Sequence, residues 1–461
     1  MTEPGAREGL AENGVAPFRT ALTNTPLKWR RVVTWSLYDW GTQPYNTIII
    51  TFVFSVYLTS SGFGDVNTTT TALTVATMLS GLLIAALAPV LGQSADRSGR
   101  TVTFLRVLTA LIVVLSASLY FVKPSPGYLV LGLVLFGFGS LVSEIAGVTY
   151  NATIEQVASS KSVGRVSGFG WGFGYVGGIL SLLLIYFTLI SPEVGLFGVT
   201  NADGLDIRVS MLVCAVWTLV FTIAPLVMLK NHPPLVKDGE RPGFLGAYRE
   251  LWRTLVRLWR IDRPLITFLI ASAVFRDGLA GIFSFGAVIA AGTFGFSPGE
   301  VIIFGAAANI TAGLSTMLFG FIDDRIGARR VILISLASLS VLASLVFFLH
   351  AGGTTVFWIV GLALTVFVGP AQSASRSYLA RLIPEGKSGE VFGLYATTGR
   401  AISFLSPLFF LIAVQIGILL NPGQNAQYWG ILGIAVILVV GFIIMLRVKE
   451  PVLEQVDSPT R

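Results

Sequence analysis

Twelve apolar stretches, each too long for a soluble core, begin near Val33, Leu73, Val102, Tyr128, Val166, Val209, Leu265, Val301, Val331, Val356, Val391 and Tyr428. A bilayer asks for about 20 apolar residues per crossing helix, or about 240 for twelve. The 461 residues are 54% hydrophobic, which supplies about 249. Only 12% are charged, against roughly a quarter in a soluble domain, so an ordinary soluble enzyme is excluded. Fifty glycines and a mean hydropathy of +0.78 exclude disorder and coiled coil, because packed transmembrane helices tolerate glycine. Cys214 is the one cysteine, which rules out an intrachain disulfide and a cysteine-based metal cluster.

Of the 31 Lys and Arg residues, 27 fall in every second connection, starting with the N-terminal tail. Lys123 and Arg208 alone occupy the intervening connections, and Arg276 and Arg400 lie inside spans. The positive-inside rule therefore predicts cytoplasmic termini, and the expected location is the plasma membrane, or an organelle membrane in a eukaryote. The net charge of +7 needs no nucleic-acid partner. Residues 1–31 carry Glu3, Glu8 and Glu12 without an apolar run, and read as a mobile tail with no cleavable signal. The longest basic connection, 230–263, separates six spans in 32–229 from six in 264–447, and residues 448–461 form a second tail. Within it Leu251, Leu255, Leu258 and Trp259 share one helical face and Arg249, Arg253, Arg257 and Arg260 another, which predicts a helix lying at the headgroups.

The chain repeats itself. Gly92, Asp96, Arg97, Gly99 and Arg100 follow span two as G-x-x-x-D-R-x-G-R, and Gly320, Asp324, Arg325 and Gly327 follow span eight in the same spacing, 228 residues on. A second match pairs Gly168 with Gly393 and Gly174 with Gly399 at an offset of 225. Near-equal offsets indicate two six-helix halves in the same orientation. The loop signature resembles that of the major facilitator superfamily. That resemblance implies an all-α fold of twelve transmembrane helices in two six-helix pseudo-repeats. It also implies that the two aspartates face helix N-termini of the opposite half, in spans eleven and five, holding the cytoplasmic side closed. A narrower likeness rests on Trp35, Tyr38, Asp39 and Trp40 with Pro44 and Tyr45, on Gly168 to Tyr175, and on Gly369 to Ser377 running into Phe392 to Tyr395. This set resembles the branch of the yeast vacuolar amino-acid effluxer and its bacterial relatives, over roughly 32–447.

Charge at mid-membrane costs roughly 2.5 to 3.5 kcal/mol per residue, so such residues face a bundle interior or aqueous cavity. Asp39, Glu144, Arg276, Asp277 and Arg400 stand out and sum to −1. Arg106 and Arg376 lie near span ends, where long side chains snorkel. Span one carries a stripe of Ser36, Asp39, Gln43 and Asn46, with Pro44 expected to bend it; span four carries Ser140, Glu144, Asn151 and Glu155. Span ten offers Gln372 and Arg376 after Pro370. The resemblance implies that spans one, four, seven and ten line the central cavity. Asp39 and Glu144 read either as substrate or coupling-ion contacts or as members of structural ion pairs with Arg276 or Arg400. Neighbouring Arg276 and Asp277 differ by about 100° around a helix and cannot both face one point. Both signs of charge suit a zwitterion, and an excess carboxylate suits a coupling proton.

Span five contains G-x-G-x-x-G at Gly172, Gly174 and Gly177, but no soluble strand precedes it, so close helix packing accounts for it better than a nucleotide. Tyr175 stands where the superfamily's antiporter motif has proline. His232 and His350 read as interfacial, and Asn67 opens an N-x-T sequon. Neither a Walker motif nor a catalytic triad is present, and no cofactor or metal is expected. The sequence thus predicts a non-enzymatic, monomeric secondary transporter in the lipid bilayer. Its expected substrate is a small polar molecule, with amino acid efflux foremost and proton coupling through Asp39, Glu144 or Asp277. The alternatives are a cation-coupled sugar or metabolite symporter and a sensor without flux.

Overall fold

The computed structural model describes residues 27–231 and 263–449 except 297, 384–386 and 423–425, together with Leu22 and Gly246. The expected headgroup helix, His232 and most of both tails lie outside these residues. The described chain is helical: α1 (Trp29–Pro44), α2 (Val66–Ser98), α3 (Thr101–Ser118), α4 (Leu129–Ala152), α5 (Val163–Ile185), α6 (Leu205–Met228), α7 (Arg263–Gly292), α8 (Pro298–Ile326), α9 (Ala328–Phe348), α10 (Gly353–Leu382), α11a (Ser388–Ala401) with α11b (Leu405–Leu420), and α12 (Gly430–Leu446). Most starts fall within about four residues of the expected ones. The second lies earlier, at Val66 rather than Leu73, because Asp65 accepts the Thr68 N–H at 3.0 Å and caps the helix ahead of its threonine run.

Among the described residues eleven helical stretches are long and apolar enough to cross a membrane. The first span falls short of that test because Trp, Tyr, Asp39, Gln43 and Asn46 dilute its apolar residues, and it is also broken. α1 passes at Pro44 into π-helical turns, Tyr45–Phe52, and a last α-turn, Phe54–Leu58. Proline cannot donate to the carbonyl four residues back, and here the freed Trp40 carbonyl accepts Trp217 Nε1 of α6 at 3.1 Å. Pro89 frees the Ala85 carbonyl in the same way, and Thr397 Oγ1 of α11a donates to it at 3.0 Å. Leu82, Val130, Val134, Leu314 and Val341 are each at least 60% exposed. Such apolar exposure would aggregate a soluble protein but matches lipid tails.

Helix pairings reproduce the repeat. In the first six helices α1 packs on α5 and α6, α4 on α2 and α3, and α3 on α6. In the last six, α7 packs on α11a and α12, α10 on α8 and α9, and α9 on α12. The two sets meet through α5 with α8 and α10, and through α11a with α2 and α4.

Glycine permits the α5–α8 contact. A Cβ on Gly168 would stand 2.6 Å from the Thr316 carbonyl oxygen and 2.8 Å from Gly320 Cα, and one on Gly172 would stand 2.4 Å from the Gly313 oxygen. On the other face of α5, Gly170, Gly174, Gly177 and Gly178 receive Trp35, Asp39, Trp40, Gln43 and Thr47 of the first span. α5 is therefore a glycine wedge between the first helix and the opposite half. Replacing Gly168 by Val should part α5 from α8, lowering the thermal midpoint in detergent by several degrees and exposing cysteines placed on the basic-loop side; an unchanged midpoint and labelling pattern would refute the wedge.

Candidate functional site

The connections carrying the repeated signature lie on one side of the bundle, where the two halves interlock. Asp324 accepts the backbone N–H groups of Gly164 at 2.8 Å and Arg165 at 3.1 Å, and Arg165 Nε at 2.6 Å. First-turn N–H groups lack intrahelical partners, and the helix dipole favours an anion there. A Cβ on Gly164 would come within 2.7 Å of both Asp323 and Asp324, so the acids approach only because residue 164 is glycine. Arg381 of α10 donates to Asp323 at 2.6 Å and Asp324 at 3.3 Å, while Ser377 Oγ also donates to Asp323. Asp323 and Arg381 escaped the sequence reading because they fall outside the repeated spacing. At the first copy, a Cβ on Gly92 would collide with the Gly389 carbonyl, and one on Gly393 would stand 2.6 Å from Pro89 Cα. Glu155 accepts Ser388 Oγ at 2.6 Å beside them. Gly99 and Gly327, at φ +63° and +91°, turn the chain into α3 and α9. Arg100 and Arg325 are exposed, and the side chains of Asp96, Arg97 and Asn67 lie outside the described residues.

Beyond this seal a cavity of about 270 Å³ opens between the halves. Asp39, Gln43 and Asn46 of the first span line it, with Glu144 and Asn151 of α4. Arg276 of α7 and Gln372 of α10 face them across it, between Trp171, Tyr175 and Tyr395. Its floor is an ion pair bridging the halves, Arg376 Nη1 to Asp39 Oδ2 at 3.4 Å. Arg376 also donates to Asn151 Oδ1 at 3.1 Å, Ser167 Oγ at 2.9 Å and the Ser167 carbonyl at 2.6 Å, and lies about 5 Å from the Trp35 and Trp171 rings. Tyr150 donates to Asp39 at 3.1 Å. The structure corrects the expectation for Arg376. Its side chain is 1% exposed rather than snorkelling, because α10 continues to Leu382 and leaves residue 376 nearly two turns inside. The signal was its position one turn beyond Gln372 on the same face.

A second cross-half pair joins Arg400 Nη2 to Glu144 Oε2 at 2.9 Å, with the side chains 39% and 32% exposed. Asp39 thus pairs with Arg376, which had been outside the expected set, while Glu144 takes one of the two expected partners. Arg276 stacks on the Tyr395 ring at 3.9 Å and donates to its carbonyl at 3.1 Å. Among the described residues it has no carboxylate partner. Asp277 turns away from the cavity: it accepts the Ser406 N–H at 2.6 Å and caps α11b. α11 breaks there because Pro407 cannot donate to the Ser403 carbonyl. With Asp277 turned away and Arg376 added, the lining charges balance, and counting Arg400, which reaches the cavity only through Glu144, brings the sum to +1. The excess is a guanidinium rather than the carboxylate expected from sequence. Both carboxylates come from the first half and all three guanidiniums from the second. Ser36 is buried without a hydrogen-bond partner in the described structure, so it belongs to the packing and not to the cavity. His350 stacks on Tyr428 at 3.8 Å, also outside the cavity.

The two ion pairs differ in what it takes to part them. A pair exposed to about a third contributes roughly 0 to 1 kcal/mol, whereas removing one member of a buried pair costs about 3 to 5 kcal/mol. Arg376→Met should therefore destabilise the protein strongly in guanidinium or thermal unfolding, and adding Asp39→Asn should recover part of the loss. Arg400→Met should move the midpoint little. Equal losses for the two single variants would contradict the contrast.

Solved structures share this architecture. The structure of the proton:xylose symporter XylE bound to 6-bromo-6-deoxy-D-glucose superposes with a TM-score of 0.72 at 14% identity, covering 92% of this chain and 96% of that one. FucP in the outward conformation gives 0.68 at 14% identity over 91% and 99%. Both likenesses establish the major facilitator fold. In sequence, a Bacillus subtilis (strain 168) protein described as the uncharacterized MFS-type transporter YxiO is 24% identical over 422 residues, 90% of this chain and 94% of that protein. Autophagy-related protein 22 of Yarrowia lipolytica is 22% identical over 340 residues, 68% of this chain and 54% of that protein, so the chain spans about half the length of its fungal relative. The family described as Vacuole effluxer Atg22 like matches residues 56–451, and this multi-pass membrane transporter belongs to it.

Proposed function

We propose that the protein moves small zwitterionic solutes, amino acids foremost and in the direction of efflux, by rocking its two halves about the central cavity. The observation that carries this reading is Arg276. It is a guanidinium at the cavity wall, oriented by Tyr395 and without a carboxylate partner among the described residues, facing two carboxylates of the opposite half. A cargo carboxylate supplies the missing partner through charge-assisted hydrogen bonds. Trp171, Tyr175 and Tyr395 offer apolar surface to a side chain. The superfamily fold and the vacuolar effluxer family support alternating access and an exported cargo, with the basic connections facing the cytoplasm. On that orientation the interlocked basic side makes this the outward-facing form. Asp39 and Glu144 are the candidates to carry a coupling proton, and the protein works as a monomer.

Flux of labelled amino acids, sugars and organic acids from proteoliposomes, with and without a pH gradient, tests the proposal. The expected result is movement of neutral amino acids. A charge-assisted hydrogen bond contributes about 1.5 to 3 kcal/mol, so Arg276→Gln should lower that flux at least about tenfold, with Arg276→Lys recovering part of it. Movement of a neutral sugar and of no zwitterion would replace this reading with a sugar symporter, and binding without movement of any solute would make the protein a sensor.

A further inference from the structure

Of the two ion pairs that cross the cavity, one is built to stay and the other to exchange. Arg376 has a bond on every guanidinium nitrogen and is 1% exposed. Arg400 holds Glu144 through a single nitrogen, Nη2, and both side chains are about a third exposed. Arg400 also sits on the last turn of α11a, immediately before the break at Ile402–Phe404. The Ser403 hydroxyl and N–H both turn back to the Arg400 carbonyl, at 3.0 and 3.4 Å, so the residue carrying the guanidinium also anchors the break in the helix. Past the break, α11b is held by Asp277 of α7, whose neighbour is Arg276. Arg276, without an ion-pair partner among the described residues, and the exchangeable pair are thus joined through α7 and α11.

We propose that Glu144–Arg400 is a cargo-operated latch between the halves: the cargo's ammonium takes Arg400's place on Glu144 while its carboxylate rests on Arg276. Release of Arg400 frees the break in α11, so the halves rock only when both cargo charges are present. This rests on the zwitterion reading above, and it adds a requirement which that reading does not contain. A solute with only the carboxylate engages Arg276 and leaves the latch shut.

The full chain in nanodiscs, with Cys214→Ser and nitroxide labels at Ser191→Cys and Ala351→Cys, reports the distance between the halves on the side opposite the basic loops. The probes are L-leucine and L-phenylalanine, chosen for the aromatic walls, with 4-methylpentanoate and 3-phenylpropionate as their analogues lacking the ammonium. In the parent protein the amino acids should shift the distance distribution, and the acids should bind without shifting it. Arg400→Gln should bind the amino acids about two- to fivefold more tightly, since Glu144 has lost its competitor, and should show a distribution that cargo no longer changes. Arg400→Lys should restore the cargo response, which separates a latch from a merely structural residue. A cargo response retained unchanged in Arg400→Gln, or an equal shift by the acids, overturns the latch and leaves the zwitterion reading standing. No response of the parent protein to either amino acid overturns both.

Discussion

A guanidinium shut away from water has to be matched atom by atom, and Arg376 is matched mostly from the other half of the bundle. Asp39, Asn151 and Ser167 all belong to the first six helices, while Arg376 belongs to α10. The cost of a bare buried charge therefore falls due whenever the halves part on this side. That constraint explains why α5 is so rich in glycine. Ser167 reaches Arg376 only if α5 lies close to α10 and α8, and the backbone-to-backbone approach at Gly168 and Gly172 leaves no space for a Cβ. Packing, hydrogen bonding and charge pairing here are one arrangement seen three ways.

Proline extends the same logic. At Pro44 and Pro89 a helix gives up an internal hydrogen bond, and in each case a neighbouring side chain takes the freed carbonyl: Trp217 for Trp40 and Thr397 for Ala85. In a bilayer no water is available to do this. A kinked helix is thereby tied to one particular neighbour, in the second case across the interface between the halves. The break in α11 is tied to α7 by Asp277 in the same manner.

Much of this was legible in the residues. Span number, repeat and sidedness of the basic loops followed from hydropathy and charge, because lipid imposes length and composition directly. The pairing of α5 with Asp324 followed from the resemblance that the repeated signature carries, and Glu144 was read as either functional or paired. What escaped depended on distances between helices. Arg376 was assigned to the interface because sequence shows how far a residue is from a span's end only when that end is known, and α10 runs on through Arg381. Asp277 looked like a cavity carboxylate because nothing local reveals that Pro407 opens a helix end beside it. The sign of the cavity's net charge turned on these two residues alone.

The segregation of charge between the halves bears on how the membrane voltage enters. Moving one elementary charge across the field is worth about 2.3 kcal/mol per 100 mV. The Asp39–Arg376 and Glu144–Arg400 pairs are each neutral, which leaves the single positive charge of Arg276 in the cavity. A zwitterion adds nothing to that sum, so the field acts alike on the loaded and the empty carrier and does no net work over a cycle. On the zwitterion reading proposed above, carriage of the cargo alone is electrically silent, and a co-transported proton is what would make the cycle respond to voltage.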